Sequence, residues 1–238
     1  MIIPLRDNAP SYTTPVVTLS LILVNFLVFG LQWLYPAGFA QSIMDWGEVP
    51  VRILAGQPIP GTNFSPAWTM LTSMFMHGGF LHIIFNMLAL WLFGDNVEWL
   101  LGRAKYLLFY IACGLTASGF TIVFGYESEM PGVGASGAIA AVMGAYLLFF
   151  PRSRVVTFVP IFLFGWFANI PSAFYLGVWF VSQLLSGLVQ LSTQQGVIAG
   201  GVAWWAHIGG FLFGLLFAKP FCAGRRLRRE YVDEYFPW

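Results

Sequence analysis

The sequence predicts an all-α membrane protein, a bundle of six transmembrane helices with both termini cytoplasmic. Three observations predict it. Of 238 residues, 58% are hydrophobic and only 9% charged, and mean hydropathy is strongly positive, a balance that excludes an ordinary soluble enzyme. Apolar runs long enough to cross a bilayer recur along the chain. The basic residues segregate to one side of those runs. The net charge of +1 gives no reason to expect a nucleic-acid partner, whereas the lipid bilayer is an expected one.

Residues 1–15 are polar and Pro-containing and read as a short N-terminal tail. Val16 to Leu34 is the first span. Ala37-Gly38-Phe39-Ala40 loosely mimics a signal-peptide cleavage site. The apolar stretch is too long for a signal, and its leader carries only Arg6 beside Asp7. Residues 35–67 form a long Pro- and Gly-rich connection with Trp46 and Trp68 near its ends. A loop of that kind is functional or rests in the interface.

The second span is expected from about Trp68 to Phe93, ended by Gly94-Asp95-Asn96, with Glu98 as a solvated helix-end group. A turn with Arg103 and Lys105 leads to the third, Tyr106 to Phe124. An acidic loop, Glu127 to Met130, either simple solvated surface or a cap on the fourth span, precedes that span, which opens at Gly134-Ala135-Ser136-Gly137 and ends at Pro151-Arg152-Ser153-Arg154. The fifth runs from Ser172 to Leu191, followed by a Thr-Gln-Gln-Gly loop, and the sixth from about Val202 to Ala218. A cytoplasmic tail, 219–238, closes a single domain, 1–238.

Val155 to Ile170 is apolar, but Pro160 breaks it and Pro171 closes it. Charge decides its place. If it does not cross, Arg6, Arg103, Lys105, Arg152, Arg154, Lys219, Arg225, Arg226, Arg228 and Arg229 share one side, and only Arg52 falls on the other. That is the positive-inside pattern. The stretch is therefore an interfacial or partly buried connector. Cys113 and Cys222 lack metal-ligand spacing and make no disulfide framework. No metal or cofactor is called for.

Polar groups inside spans are costly and are functional candidates. Counted from the cytoplasmic ends, Ser136, His82 and His207 stand at roughly 24, 20 and 18 Å, in the outer half of a core about 30 Å thick. A serine hydroxyl needs a base to become a nucleophile, and a neutral histidine is the usual one. No acidic residue lies deep in a span, so the expected catalytic pair is a Ser136–His207 dyad. His82 and Asn86 are four apart on one helix face. With the Ser136 amide at a helix start, they could stabilise an oxyanion. Ala206, Gly210 and Gly214 form a small-residue seam beside His207. Gly134 and Gly137 do the same beside Ser136, and such a run can equally be only a packing seam.

The set GASG at 134–137, Ala-His-x-x-Gly-x-x-x-Gly at 206–214 and His82-x-x-x-Asn86 resembles the rhomboid intramembrane serine proteases over nearly all six spans. The resemblance implies Ser136 as nucleophile, His207 as base, and His82 and Asn86 supporting the oxyanion. It implies cleavage of transmembrane protein substrates near the outer end of their helix, and it makes 35–67 the family's membrane-embedded first loop. The location expected is the bacterial cell membrane. Two positions depart from the pattern. Trp68 is followed by Thr69 where many members carry arginine, so that arginine's loop-bracing role is either missing or filled by Arg52. Ala140 stands where some members place a tyrosine against the histidine; Trp204 and Trp205 are either substitutes for it or, as such residues more often are, interface anchors. The fifth span, with Tyr175, Trp179 and Phe180, is the expected substrate gate. The alternative function is a rhomboid-like pseudoprotease that binds membrane clients without cutting them.

Overall fold

The computed structural model describes residues 3–161, 164–192 and 203–222. In chain order these form β1 (Ile3–Asp7), α1 (Val16–Trp33), α2 (Phe39–Trp46), α3 (Pro50–Leu54), α4 (Thr69–Thr72), α5 (Phe80–Leu101), α6 (Arg103–Phe124), α7 (Ser136–Phe149), β2 (Arg154–Ile161), β3 (Phe164–Pro171), α8 (Ser172–Ser192) and α9 (Trp204–Phe221). Among the described residues α1, α5, α6 and α8 are long and apolar enough to cross a membrane, and α7 is a shorter apolar helix. Val202, the Thr-Gln-Gln-Gly loop and the arginines at 225–229 lie outside the described residues.

Apolar helix α7 is the hub. From Gly137 to Tyr146 every residue is buried, against α5, α6 and α9, with α8 at its edge. Small residues on α7 permit this. Gly144 leaves no room for a β-carbon against the Phe211 carbonyl of α9. By contrast, α1 and α8 turn much of their surface outward, with Leu23, Leu27 and Leu31 on α1 and Phe174, Val178 and Leu185 on α8 exposed. Apolar faces of this kind are suited to lipid.

The chain is not all-helical. The connector 155–170 folds as an antiparallel hairpin of β2 and β3, and β1 pairs antiparallel with β2 as a third strand. Val155, Val156 and Thr157 favour a strand, and the prolines forbid a helix. Val155 and Thr157 point inward, fully buried. Residues 1–15 are therefore not simply a tail, since Ile3–Asp7 is a strand. Its Asp7 accepts a hydrogen bond from the Tyr146 hydroxyl of α7. Burial raises the Asp7 carboxyl to about 6, and the Tyr146 bond works against that rise.

The second span also differs from expectation. It begins at Phe80 and runs unbroken through Gly94-Asp95-Asn96 to Leu101. Gly94 is a packing position, not a terminator: a β-carbon there would stand 2.9 Å from both the Thr18 methyl of α1 and the Tyr106 hydroxyl of α6. Glu98 is not solvated but 2% exposed. Its carboxylate accepts from the Val17 amide (3.0 Å), the Thr18 amide (2.7 Å) and the Thr18 hydroxyl (2.8 Å). α1 starts after Pro15, which has no side chain able to cap. Glu98 supplies that cap from another helix, satisfying first-turn amides and complementing the dipole.

Candidate active site

Ser136 is the first residue of α7, so its amide and that of Gly137 stand in the turn where a helix gives N–H groups no internal partner. The segment before it is clamped. Glu48 and Gly132 exchange backbone hydrogen bonds of 2.9 and 2.7 Å, and the Gly134 amide donates to the Ser73 carbonyl at 2.9 Å. Gly134 has φ +129°, a conformation that favours glycine. A β-carbon there would also stand 2.8 Å from His82 Nε2. Gly134 thus makes room for an imidazole and is not part of a helix–helix seam.

His207 sits in the first turns of α9. Its Nε2 lies 2.8 Å from Ser136 Oγ, and its Nδ1 lies 2.8 Å from Gln183 Oε1 on α8. The short Ser136–His207 distance follows from the seam between α7 and α9. A β-carbon on Gly210 would run into the Gly137 carbonyl, and one on Gly214 into the Ala141 carbonyl. Gly137 itself faces Ala117 of α6 and Ala206 of α9. The sequence signal missed Gly144, which completes this seam.

His82 Nδ1 accepts a hydrogen bond from the Gly78 amide at 3.3 Å. Because that nitrogen accepts, the proton of a neutral ring sits on Nε2. Nε2 faces Gly134 beside Ser136, so it is a donor near the Ser136 hydroxyl. Asn86 donates to the His82 carbonyl at 3.0 Å. A cavity of about 920 Å³ runs between α5 and α8 and brings together His82, Asn86, Ser136, His207, Tyr175 and Trp179. All four expected site residues therefore line one space.

His77 is fully buried with neither ring nitrogen hydrogen-bonded, and its ring meets His82 edge-on at 5.1 Å. Burial and the neighbouring His82 lower it to about 3, so it is a neutral packing group. Its backbone is fixed by Gln32, which donates to the His77 carbonyl (3.1 Å) and accepts from its amide (2.9 Å).

Around His207 the aromatic neighbours are Trp179 of α8, tilted at 5.9 Å, and Trp204, edge-on at 6.3 Å. Trp205 instead stacks on Phe124 at 3.9 Å. Arg52 donates to the Asp45 carbonyl at 3.1 Å. Asp45 also accepts from Tyr35 and Gln41, each at 2.8 Å, so the long loop is braced around Asp45. Among the described residues no group of three His, Cys, Asp or Glu side chains gathers to hold a metal ion.

Several known proteins resemble this chain. Rhomboid protease GluP of Bacillus subtilis is 45% identical over 80 residues, covering 34% of this chain and 15% of that protein. Rhomboid protein 1, mitochondrial, of Saccharomyces cerevisiae is 27% identical over 202 residues, covering 83% and 51%. The human presenilin-associated rhomboid-like protein, mitochondrial, is 28% identical over 204 residues, covering 82% and 45%. The chain thus spans about half or less of the length of these relatives. The family model for the Rhomboid domain matches residues 65–224, most of the chain, including Ser136, His207, His82 and Asn86. With that match and its apolar helices, this integral multi-pass membrane protein belongs to the rhomboid family.

Proposed function

We propose that the protein is an intramembrane serine endopeptidase. It would use Ser136 as nucleophile and His207 as general base to hydrolyse peptide bonds in the outer part of transmembrane segments. The observation that carries this reading is the 2.8 Å contact between Ser136 Oγ and His207 Nε2. As Oγ attacks a substrate carbonyl, its proton passes to Nε2, which then delivers it to the leaving amine. Nε2–H of His82 and the first-turn amides of α7 are the candidate donors to the developing oxyanion, with Asn86 recruited by rotation away from the His82 carbonyl.

The reading places six spans, α1, α5, α6, α7, α8 and α9, in one domain with both termini cytoplasmic, supported by the segregation of the basic residues. The cavity between α5 and α8 supports α8 as the element that parts to admit a single-span membrane protein. The bacterial cell membrane is retained as the location, since GluP, at 45% identity over its matched stretch, is bacterial.

A serine-reactive phosphonate tests the nucleophile without a substrate. Labelling at Ser136 that is lost in His207→Ala is expected. An unlabelled wild-type protein would favour a client-binding pseudoprotease.

A further inference from the structure

Gln183 lies midway along α8, on a helix whose neighbouring side chains Val181 and Leu185 face outward. Its own side chain is buried, 6% exposed. Burying a primary amide is costly unless its hydrogen bonds are met. Polar side chains often meet them by bridging two helices, with no further role. Here the chemistry of the partners says more.

The amide nitrogen of Gln183 is 3.1 Å from Ser182 Oγ and 3.4 Å from the Trp179 carbonyl oxygen. Ser182 Oγ donates its own proton to that carbonyl at 2.6 Å, so what it offers Gln183 is a lone pair. Both neighbours of the nitrogen are therefore acceptors, and that fixes which end of the amide is which. The oxygen must face His207 Nδ1, at 2.8 Å. An amide oxygen only accepts, so Nδ1 carries the proton and Nε2 keeps its lone pair, 2.8 Å from the Ser136 hydroxyl. In the opposite tautomer, Nε2–H would face the serine and could not take its proton.

We propose that Gln183 is a positioning residue for His207, holding the imidazole in the one neutral tautomer able to accept the Ser136 proton. The inference rests on the reading of Ser136 and His207 as a dyad. During attack the Oγ–H bond breaks and the proton joins Nε2. The imidazolium so formed keeps its Nδ1–H bond to Gln183 Oε1 until Nε2 passes the proton to the leaving amine. Gln183 belongs to α8, not to α7 or α9. The base is therefore fully set only while α8 is seated, and any parting of α8 that admits substrate is reversed before the chemical step. Among the described residues, the titratable groups sharing the cavity with His207 are His82 of α5 and Tyr175 of α8.

The test uses the full chain in detergent with a single-span substrate, comparing wild type, Gln183→Leu and Gln183→Glu. Leucine keeps the volume and removes the acceptor. It is expected to lower kcat about 10- to 100-fold while KM stays within about twofold. Glutamate restores an acceptor. It is expected to recover most of kcat and to move the acid limb of the kcat–pH profile to higher pH, because a carboxylate favours the imidazolium. A purely structural glutamine would not show the recovery by glutamate. Wild-type kcat and an unmoved profile in both variants would overturn the proposal.

A second measurement needs no substrate. Nitrogen-15 spectra of the three histidines should show His207 protonated on Nδ1 in the wild type and a tautomer mixture in Gln183→Leu. A wild-type His207 protonated on Nε2 would overturn the proposal. Wild-type cleavage that survives Ser136→Ala would instead defeat the dyad reading, while the spectra would still report the tautomer.

Discussion

Gly137 and Gly210 stand where α7 and α9 touch backbone to backbone, and a methyl group on Gly210 would run into the Gly137 carbonyl oxygen. That contact, one residue beyond Ser136 and three beyond His207, keeps the hydroxyl and the imidazole 2.8 Å apart. Gly210→Ala should push the helices apart, costing about 1–3 kcal/mol of stability from overpacking. Phosphonate labelling of Ser136 should fall at least roughly tenfold, because proton transfer needs hydrogen-bond reach. Thermal unfolding in detergent and the labelling rate check both effects, and wild-type values for the two would contradict the packing claim.

Glu98 should matter for stability, not chemistry. Glu98→Ala leaves the Val17 and Thr18 amides and the Thr18 hydroxyl without their buried acceptor. A loss of about 2–3 kcal/mol follows from removing a charged cap and stranding its donors. The variant should unfold at lower temperature, yet cleave at the wild-type kcat when assayed well below that temperature.

The Glu48 carboxyl is buried with Oε1 unpartnered. Burial raises it from 4.5 to about 8, against a smaller opposing pull from the Ser118 hydroxyl. The folded state therefore holds this proton more tightly than the unfolded chain. Its stabilising contribution is complete below the unfolded value and is lost as pH rises through about 8. Unfolding temperature should fall across that window in the wild type, and the fall should be shallower in Glu48→Gln. Parallel curves for the two proteins would contradict it.

What was legible in the sequence was what short spacing carries. The i to i+4 pair His82–Asn86, the small-residue seam at Ala206, Gly210 and Gly214, and the serine at a helix start can be read from local pattern. Their meeting in one cavity follows from their similar depth. Glu98 was misread because its role depends on α1, some eighty residues away in the chain, which lacks a cap of its own. The three-stranded sheet was missed in part because its edge strand, Ile3–Asp7, is far from the β2–β3 hairpin in sequence. The break at Gly78-Gly79, not Trp68, sets the start of α5, and apolar composition alone does not mark it. Gln183 belongs to no motif, yet a signal existed: an amide in the middle of an apolar span calls for a partner.

Tyr175 of α8 and Phe93 of α5 face each other with ring centroids 6.5 Å apart. Cysteines introduced at these two positions and joined by a thiol cross-linker should fix α8 against α5. Labelling of Ser136 by a small phosphonate should persist, since α8 stays seated, while cleavage of a single-span substrate should stop. Full turnover in the cross-linked protein would remove α8 as the gate.

The most direct measurement is cleavage of a single-span substrate by the purified chain in detergent, comparing wild type with Ser136→Ala and His207→Ala. A discrete product from the wild type, reduced by roughly 10³-fold or more in each variant, is the expected result for a nucleophile and base acting as a unit. Undiminished cleavage by Ser136→Ala would contradict it and assign the chemistry to another group.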